Sequence, residues 1–356
     1  MEITRLKLYN YRNYKTADVT FDGGINVIVG KNAQGKTNLL EAVYFAVVGK
    51  SFRASREKEV INTESEIAKI EVDIKKEIGS SKVEIIFSRK HKKTIKINGV
   101  PIQRTGELLG EFNGVFFAPD ELKLIKESPE DRRRFMDIDI SQTSKQYFYL
   151  LSRYDKILVS RNKLLKTQTN IAELKNMLAI YNTQMASCAL KIVKFRQNFV
   201  QSLAPYAQKA HAYLTDQKES LTLEYVGIAE QTEQEIVSRL ERNLEKDLAL
   251  GYTSYGPHRD DIKVEINGID VRTYGSQGQQ RTCALSLKLA ELEIIKNQTR
   301  STPVLLLDDV LSELDEDRKL KLLKFCQKAQ TLISCTSFAY AVKCKKIVVE
   351  NGKIGN

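Results

Sequence analysis

The chain has 356 residues, enough for two or three packed lobes around a large core, and its 42% apolar and 28% charged residues are ordinary for a globular protein. No apolar run nears the roughly 20 residues of a membrane helix, and Met1-Glu2-Ile3-Thr4-Arg5-Leu6 lacks the basic-then-apolar pattern of a secretory signal, so a cytoplasmic protein with no membrane partner is expected. Five cysteines without a C-x-x-C pair and only three histidines give a zinc site little to work with, while a formal charge of +11 and a pI near 9.2 favour nucleic acid as partner.

To about residue 100, short alternating runs predict strands over 3–9, 16–21, 68–74, 82–87 and 93–97, most of them antiparallel. Among them lies the apolar run Ile25, Val27, Ile28, Val29, followed by Gly30-Lys31-Asn32-Ala33-Gln34-Gly35-Lys36-Thr37 and the helix-like Asn38-Leu39-Leu40-Glu41-Ala42-Val43-Tyr44. This is a Walker A pattern between a strand and a helix. Its glycines let backbone N–H groups converge on phosphates, Lys36 reaches the β and γ oxygens, and the Thr37 hydroxyl ligates magnesium. ATP and Mg²⁺ are therefore the expected ligands. Asn98-Gly99 sits between short β-rich runs and predicts a type I′ hairpin, as Asn267-Gly268 does further on.

Between about 135 and 213 the sequence turns helix-periodic and nearly free of Pro and Gly, which predicts an inserted helical lobe. At 100° per residue, Leu150, Tyr154, Ile157, Leu158, Leu164 and Leu165 fall on one side and Arg153, Lys156, Lys163 and Lys166 on the other. Val159 breaks the pattern and Arg161 lies off the basic side. A solvated face and a DNA-contacting face both fit it.

The last third returns to α/β, with helices expected over 286–297 and 317–328 and parallel strands over 304–307, 331–335 and 346–350. Val304-Leu305-Leu306-Leu307 ends in Asp308 and Asp309, a Walker B arrangement. Adjacent side chains at a strand end diverge, so Asp308 can hold magnesium through water while Asp309 polarises the attacking water. Upstream, Tyr274-Gly275-Ser276-Gln277-Gly278-Gln279-Gln280-Arg281 precedes a helical run and resembles the signature motif of ABC-type ATPases; in that motif a Ser and a Gly at a helix start grip the γ-phosphate of a nucleotide on the opposite subunit. Leu311-Ser312-Glu313-Leu314-Asp315 looks like the D-loop of the same superfamily.

This order resembles the RecF family of bacterial recombination mediators, related to the heads of Rad50 and SMC proteins. The resemblance rests on the motifs above and on Tyr11-Arg12-Asn13-Tyr14, Phe116-Phe117-Ala118-Pro119-Asp120-Glu121-Leu122, Ser128-Pro129 with Arg132-Arg133-Arg134-Phe135, and Gly256-Pro257-His258-Arg259-Asp260-Asp261. It implies an α/β fold: an ABC-type P-loop ATPase head with a mixed sheet and N-terminal antiparallel strands, plus a mainly helical lobe. Head segments over 1–134 and 251–356 would enclose that lobe at 135–250. It implies ATP-driven homodimerisation around DNA, slow DNA-stimulated hydrolysis, and work with RecR and RecO in recombinase loading.

Residue by residue, Lys36 and Asp309 become the catalytic candidates, and Thr37 and Asp308 the metal-holding pair. Gly30 to Thr37, Arg12, and Ser276, Gln277, Gly278 and Gln279 become nucleotide contacts. Ser334-Cys335-Thr336-Ser337 stands where typical ABC transporters carry a switch His, and the Q-loop role falls to the segment near Pro119-Asp120-Glu121. Arg132-Arg133-Arg134 could contact DNA or form an ordinary helix turn, and His258 with Arg259 could brace a hairpin. The alternatives are the ATPase subunit of a transporter, a Rad50- or SMC-type head, for which the roughly 100-residue insertion leaves room only for a short coiled coil, and a DNA-binding protein with a vestigial nucleotide site.

Overall fold

The computed structural model describes residues 1–119, 123–167 and 170–355. In chain order, β1 (Glu2–Tyr11) and β2 (Tyr14–Thr20) form a hairpin, then β3 (Ile25–Val29) leads into α1 (Lys36–Val48), followed by β4 (Ile67–Lys75), β5 (Ser80–Ser88), β6 (Thr94–Ile97) and β7 (Val100–Pro101). All of these strands except β3 make one antiparallel sheet, ordered β2-β1-β4-β5-β6-β7. Alternation sends one face inward, as with Val83, Ile85 and Phe87 on β5. In β1 the phase slips: Ile3 is buried, then Leu6 and Leu8. The β1–β4 register shifts between Ile3 and Arg5, so a bulge restores the inward face.

Next come β8 (Gly114–Phe117), α2 (Lys123–Lys126), α3 (Pro129–Thr143), α4 (Lys145–Leu164) and the 44-residue α5 (Ile171–Leu214). They are followed by β9 (Leu221–Val226), α6 (Glu233–Arg242), α7 (Leu244–Leu250), β10 (Asp261–Ile266), β11 (Ile269–Asp270), α8 (Val271–Tyr274) and α9 (Gln277–Thr299). The chain closes with β12 (Val304–Asp308), α10 (Glu316–Cys326), β13 (Thr331–Cys335), β14 (Cys344–Glu350) and β15 (Lys353–Gly355). The second sheet is ordered β15-β14-β3-β13-β12-β8, parallel except for its β15 edge.

The parallel sheet is covered on both faces. Ile28, Leu306 and Leu332 pack with α1 and the antiparallel sheet, whereas Val27, Leu305, Leu307 and Ile333 pack with α9 and α5. Burial on both sides explains why β12 opens on the unbroken apolar run Val304–Leu307 and why every residue of β12 and β13 is buried rather than alternate ones. Both Asn-Gly pairs form the expected turns, with positive φ at both central residues: 51° and 82° at Asn98-Gly99, 52° and 78° at Asn267-Gly268.

Helix α9 begins earlier than the periodicity suggests, because Ser276 and Gln279 form a capping box that starts it at Gln277. Strand β9, missing from the sequence reading, pairs with β10 from Leu221↔Ile266 to Val226↔Asp261. The sequence division at 134/135 falls inside α3, and the β9–β10 pairing crosses the one at 250/251. The helical lobe also shares a continuous core with the head.

Candidate nucleotide site

Strand β3 delivers the chain to a loop whose shape is fixed from several sides. Gly30 lies so close to β14 that a Cβ there would meet the Val349 carbonyl oxygen at 2.3 Å, so packing of the sheet edge requires this glycine. Ala33 (φ 63°) and Gly35 (φ 117°) take left-handed conformations that fold the loop back on itself. The Gln34 carbonyl accepts from Asn13 Nδ2 at 2.8 Å and from the Gly352 N–H at 3.2 Å, while Tyr14 Oη donates to the Gly35 carbonyl at 3.0 Å. Lys31, Asn32 and Ala33 stay exposed at its outer rim.

Lys36 folds into this loop and donates to the Gly30 and Lys31 carbonyls at 2.6 and 2.9 Å. Those bonds keep a nearly buried ammonium satisfied at the loop's centre, where a phosphate would exchange for them. Thr37 Oγ1 donates to Asp308 Oδ1 at 3.0 Å, and Ser334 Oγ donates to the same oxygen at 2.5 Å. Burial pushes the Asp308 carboxyl above the usual carboxylate range, against these two hydrogen bonds that favour its charged form. Asp309 takes a left-handed conformation (φ 52°), its N–H donates to Ser334 Oγ at 3.0 Å, and it lines the same cleft as Asp308. Ser334, at the end of β13, joins them. Its place in the expected switch region gave no hint of that bridging.

Hard oxygens are the right donors for magnesium, and Thr37 Oγ1 and Asp308 Oδ1 stand side by side in the cleft, 3.0 Å apart. These residues fit the ion. They share a cavity of about 460 Å³ with Arg53, Tyr44, Lys288, Glu291 and Asp309.

The hydrogen bonds of the Arg12 side chain go to groups outside the phosphate loop. Its guanidinium forks onto Glu41 of α1, with Nε at 2.9 Å and NH2 at 2.7 Å, and donates to the Glu59 carbonyl at 3.0 Å. Glu41 is fully buried and also receives Tyr11, Ser51 and Arg53. This cluster escaped the sequence reading, since Glu41 sits in an otherwise apolar helix stretch.

The signature residues are separate from this cleft. Ser276 and Gln277 are exposed at the start of α9, Gln279 Nε2 donates to Glu219, and Gln280 Nε2 to the Val271 carbonyl. Arg281 pairs with Glu313 at 2.6 Å, tying this turn to the loop after β12. Two exposed features of the expected dimer face are thus joined within one subunit. The Q-loop candidates Asp120 and Glu121 lie outside the described residues.

The basic groups divide sharply. Arg153, Lys156 and Lys163 of α4 and Lys166 just after it are exposed, and Val159 among them is 68% exposed. Tyr154, Ile157 and Leu165 face inward. Arg132 is buried, with Nε 2.5 Å from Asp261, and Arg133 donates to the Asp260 carbonyl. Two of the three consecutive arginines thus tie α3 to the start of β10. His258 is held too: Nδ1 meets Tyr154 Oη at 2.7 Å and Nε2 the Thr253 carbonyl at 2.9 Å. Arg259 lies over the Tyr252 ring.

The family model described as RecF/RecN/SMC N terminal domain matches residues 2–349. The chain is 42% identical to the DNA replication and repair protein RecF of Clostridium kluyveri, covering 99% of both chains, and 43% identical to that of Alkaliphilus oremlandii, covering 94% of this chain and 93% of the other. Among solved structures, that of the recombination mediator protein RecF-ATPrS in the RecFOR pathway superposes with a TM-score of 0.91 at 36% identity, covering 99% of this chain and 97% of that one. An SMC head bound to the C-terminal winged-helix domain of ScpA shares the fold at a TM-score of 0.59 and 16% identity. With a family match over nearly its whole length and close relatives end to end, the chain belongs to the RecF family of the RecF/RecN/SMC group.

Proposed function

We propose that this chain is an ATP-dependent DNA-binding protein of replication and repair, in which ATP joins two copies face to face. The observation that carries this reading is the division of the site: Thr37, Asp308 and Asp309 line one cleft, with Lys36 folded into the adjoining loop, while Ser276 and Gln277 face solvent outside that cleft. Each nucleotide would lie between the Gly30 to Thr37 loop of one copy and the Ser276 to Gln279 turn of the other. Binding free energy, rather than turnover, would drive the change of state.

Within each cleft, the loop amides and Lys36 bind and orient the β and γ phosphates. Thr37 and Asp308 would hold Mg²⁺, which supplies charge neutralisation on the phosphates when bound. Asp309 would orient the attacking water. Its side chain is one methylene shorter than the Glu of fast ABC ATPases, and slow hydrolysis follows. DNA would contact exposed Lys and Arg through its phosphates, with little sequence preference.

The relatives' role in replication and repair and the pathway named for the RecF structures support recombination and repair in a bacterial cytoplasm, with RecR and RecO as partners. They favour this reading over a transporter subunit. Phosphate release measured with and without gapped duplex tests it: DNA should accelerate a turnover far below the enzyme median of about 10 per second. A fast turnover indifferent to DNA would overturn it.

A further inference from the structure

A groove of about 290 Å³ opens between α5, α9 and α10, away from the nucleotide cleft. Tyr206, Lys209 and Tyr213 recur at helical spacing along one stripe of α5, over about 10 Å, and Leu289 of α9 and Phe325 of α10 complete an apolar floor. Both ends are fixed. Asn297 Nδ2 donates to Tyr206 Oη at 2.8 Å at one end, and beside the end of α5 Lys321 pairs with Asp216 and Asp317 at 2.9 and 2.6 Å. Tyr213 is 44% exposed, so the floor is open to solvent between them.

The rim of this groove is cationic. Lys209, Lys324 and Lys328 are exposed, and among the described residues none of them has a carboxylate partner; the Lys328 ammonium lies 4.9 Å from the centre of the Phe325 ring instead. Lys319 and Lys321 of α10, by contrast, are paired with Glu316 and with Asp216 and Asp317. Against its three lysines the groove holds one acid, Glu293, which leaves an excess of positive charge over an aromatic floor. Such a site fits an anionic ligand that carries an apolar anchor. A nucleic-acid strand would have to run on past the groove, where the two carboxylates at Lys321 outnumber its ammonium, with Glu293 already set against the phosphates. A short acidic peptide segment ends within the groove and meets neither difficulty at the Lys321 end.

We propose that this groove docks an acidic segment of a partner protein, which sets one aromatic or aliphatic side chain against Leu289, Tyr213 and Phe325 and its carboxylates against Lys209, Lys324 and Lys328. Burial of the anchor supplies most of the affinity, because exposed ion pairs are individually weak, and the lysines select acidic partners over others. Leu289 lies about 20 Å along α9 from the Ser276 turn, so the segment docks clear of the expected dimer face. The inference goes beyond the ATP-binding reading and needs neither nucleotide nor a second copy.

The test is fluorescence anisotropy of a labelled short peptide, one Phe flanked by Asp and Glu, with the full chain and with two variants, Lys209→Gln/Lys324→Gln/Lys328→Gln and Tyr213→Ala. Their thermal midpoints should match wild type, because all four side chains are exposed. The triple variant should bind the peptide roughly tenfold more weakly and lose most of the salt dependence. Tyr213→Ala should weaken binding to a similar degree, roughly tenfold, and keep the salt dependence, since it removes the anchor contact alone. A control peptide with Lys in place of Asp and Glu should bind wild type far more weakly than the acidic one. A labelled oligothymidylate serves as the competing probe and should bind wild type and the triple variant alike. An acidic peptide that wild type binds no better than the control, or that the triple variant binds as wild type does, would overturn the inference. So would an oligothymidylate affinity that falls in the triple variant while that of the peptide does not, which would assign the groove to nucleic acid.

Discussion

Thr37, in the first turn of α1, and Asp308, at the end of β12, are 271 residues apart in sequence and meet through a 3.0 Å hydrogen bond. Parallel neighbours put them together: β3, which feeds the phosphate loop, pairs with β13, and β13 pairs with β12. Ser334 of β13, between the two, donates to Asp308.

Asp308→Asn keeps an oxygen to accept from Thr37 and Ser334 but removes the buried charge. Because burial raises the folded carboxyl above its unfolded range, the folded state binds more protons, and the charged form costs stability as pH rises through that window. The nucleotide-free variant should therefore melt at or above the wild-type temperature at neutral pH, while hydrolysis falls about 100-fold or more. Calorimetry and phosphate release check the two halves.

The buried pair Arg161–Asp247 predicts a large stability effect away from the nucleotide. Both side chains are fully buried, 2.8 Å apart, with Arg161 also donating to Asn182 and Thr253. Asp247→Ala strands a buried guanidinium and should cost about 3–5 kcal/mol in urea unfolding.

Replacing Arg153, Lys156, Lys163 and Lys166 together by Gln tests the exposed basic face of α4 and the turn after it. Fold stability should change by no more than about 0.5 kcal/mol per site, because all four are exposed. If this face holds DNA phosphates, affinity falls for every sequence alike, and the slope of log affinity against log salt shrinks by about 0.9 for each phosphate that the variant no longer neutralises. An unchanged slope would assign the face to solvent.

His258 gives a pH dependence. Burial lowers its pKa to about 4, and the neutral ring satisfies both partners, accepting from Tyr154 Oη and donating to the Thr253 carbonyl. Since the unfolded ring takes up a proton near 6.5, the contribution is present above that pH and is lost as pH falls towards 4, by up to roughly 3 kcal/mol. His258→Gln should flatten that part of the stability-versus-pH curve.

Much of this site was legible in the sequence, because a phosphate loop is a local object. Spacing sets its turns, and a buried parallel strand ending in two acids is unbroken apolar sequence by necessity. The Asn-Gly hairpins were legible for the same reason. What stayed hidden depends on partners distant in sequence: Glu41 gains meaning only from Arg12 and Arg53, Ser334 only from Asp308, and Arg132 only from Asp261. Strand β9 was missed although Leu221, Leu223 and Tyr225 alternate with polar neighbours, because the run is short and its partner β10 lies in another segment.

The most direct test of the central claim is the mass of the protein in solution, measured by light scattering with and without ATP, for wild type, Lys36→Arg and Ser276→Arg. Wild type should double its mass only with ATP. Each variant alone should stay a monomer, and an equimolar mixture should recover part of the dimer, because one complete composite site can form per pair. A wild type that keeps one mass with or without ATP, or a Ser276→Arg variant that dimerises as wild type does, would contradict it.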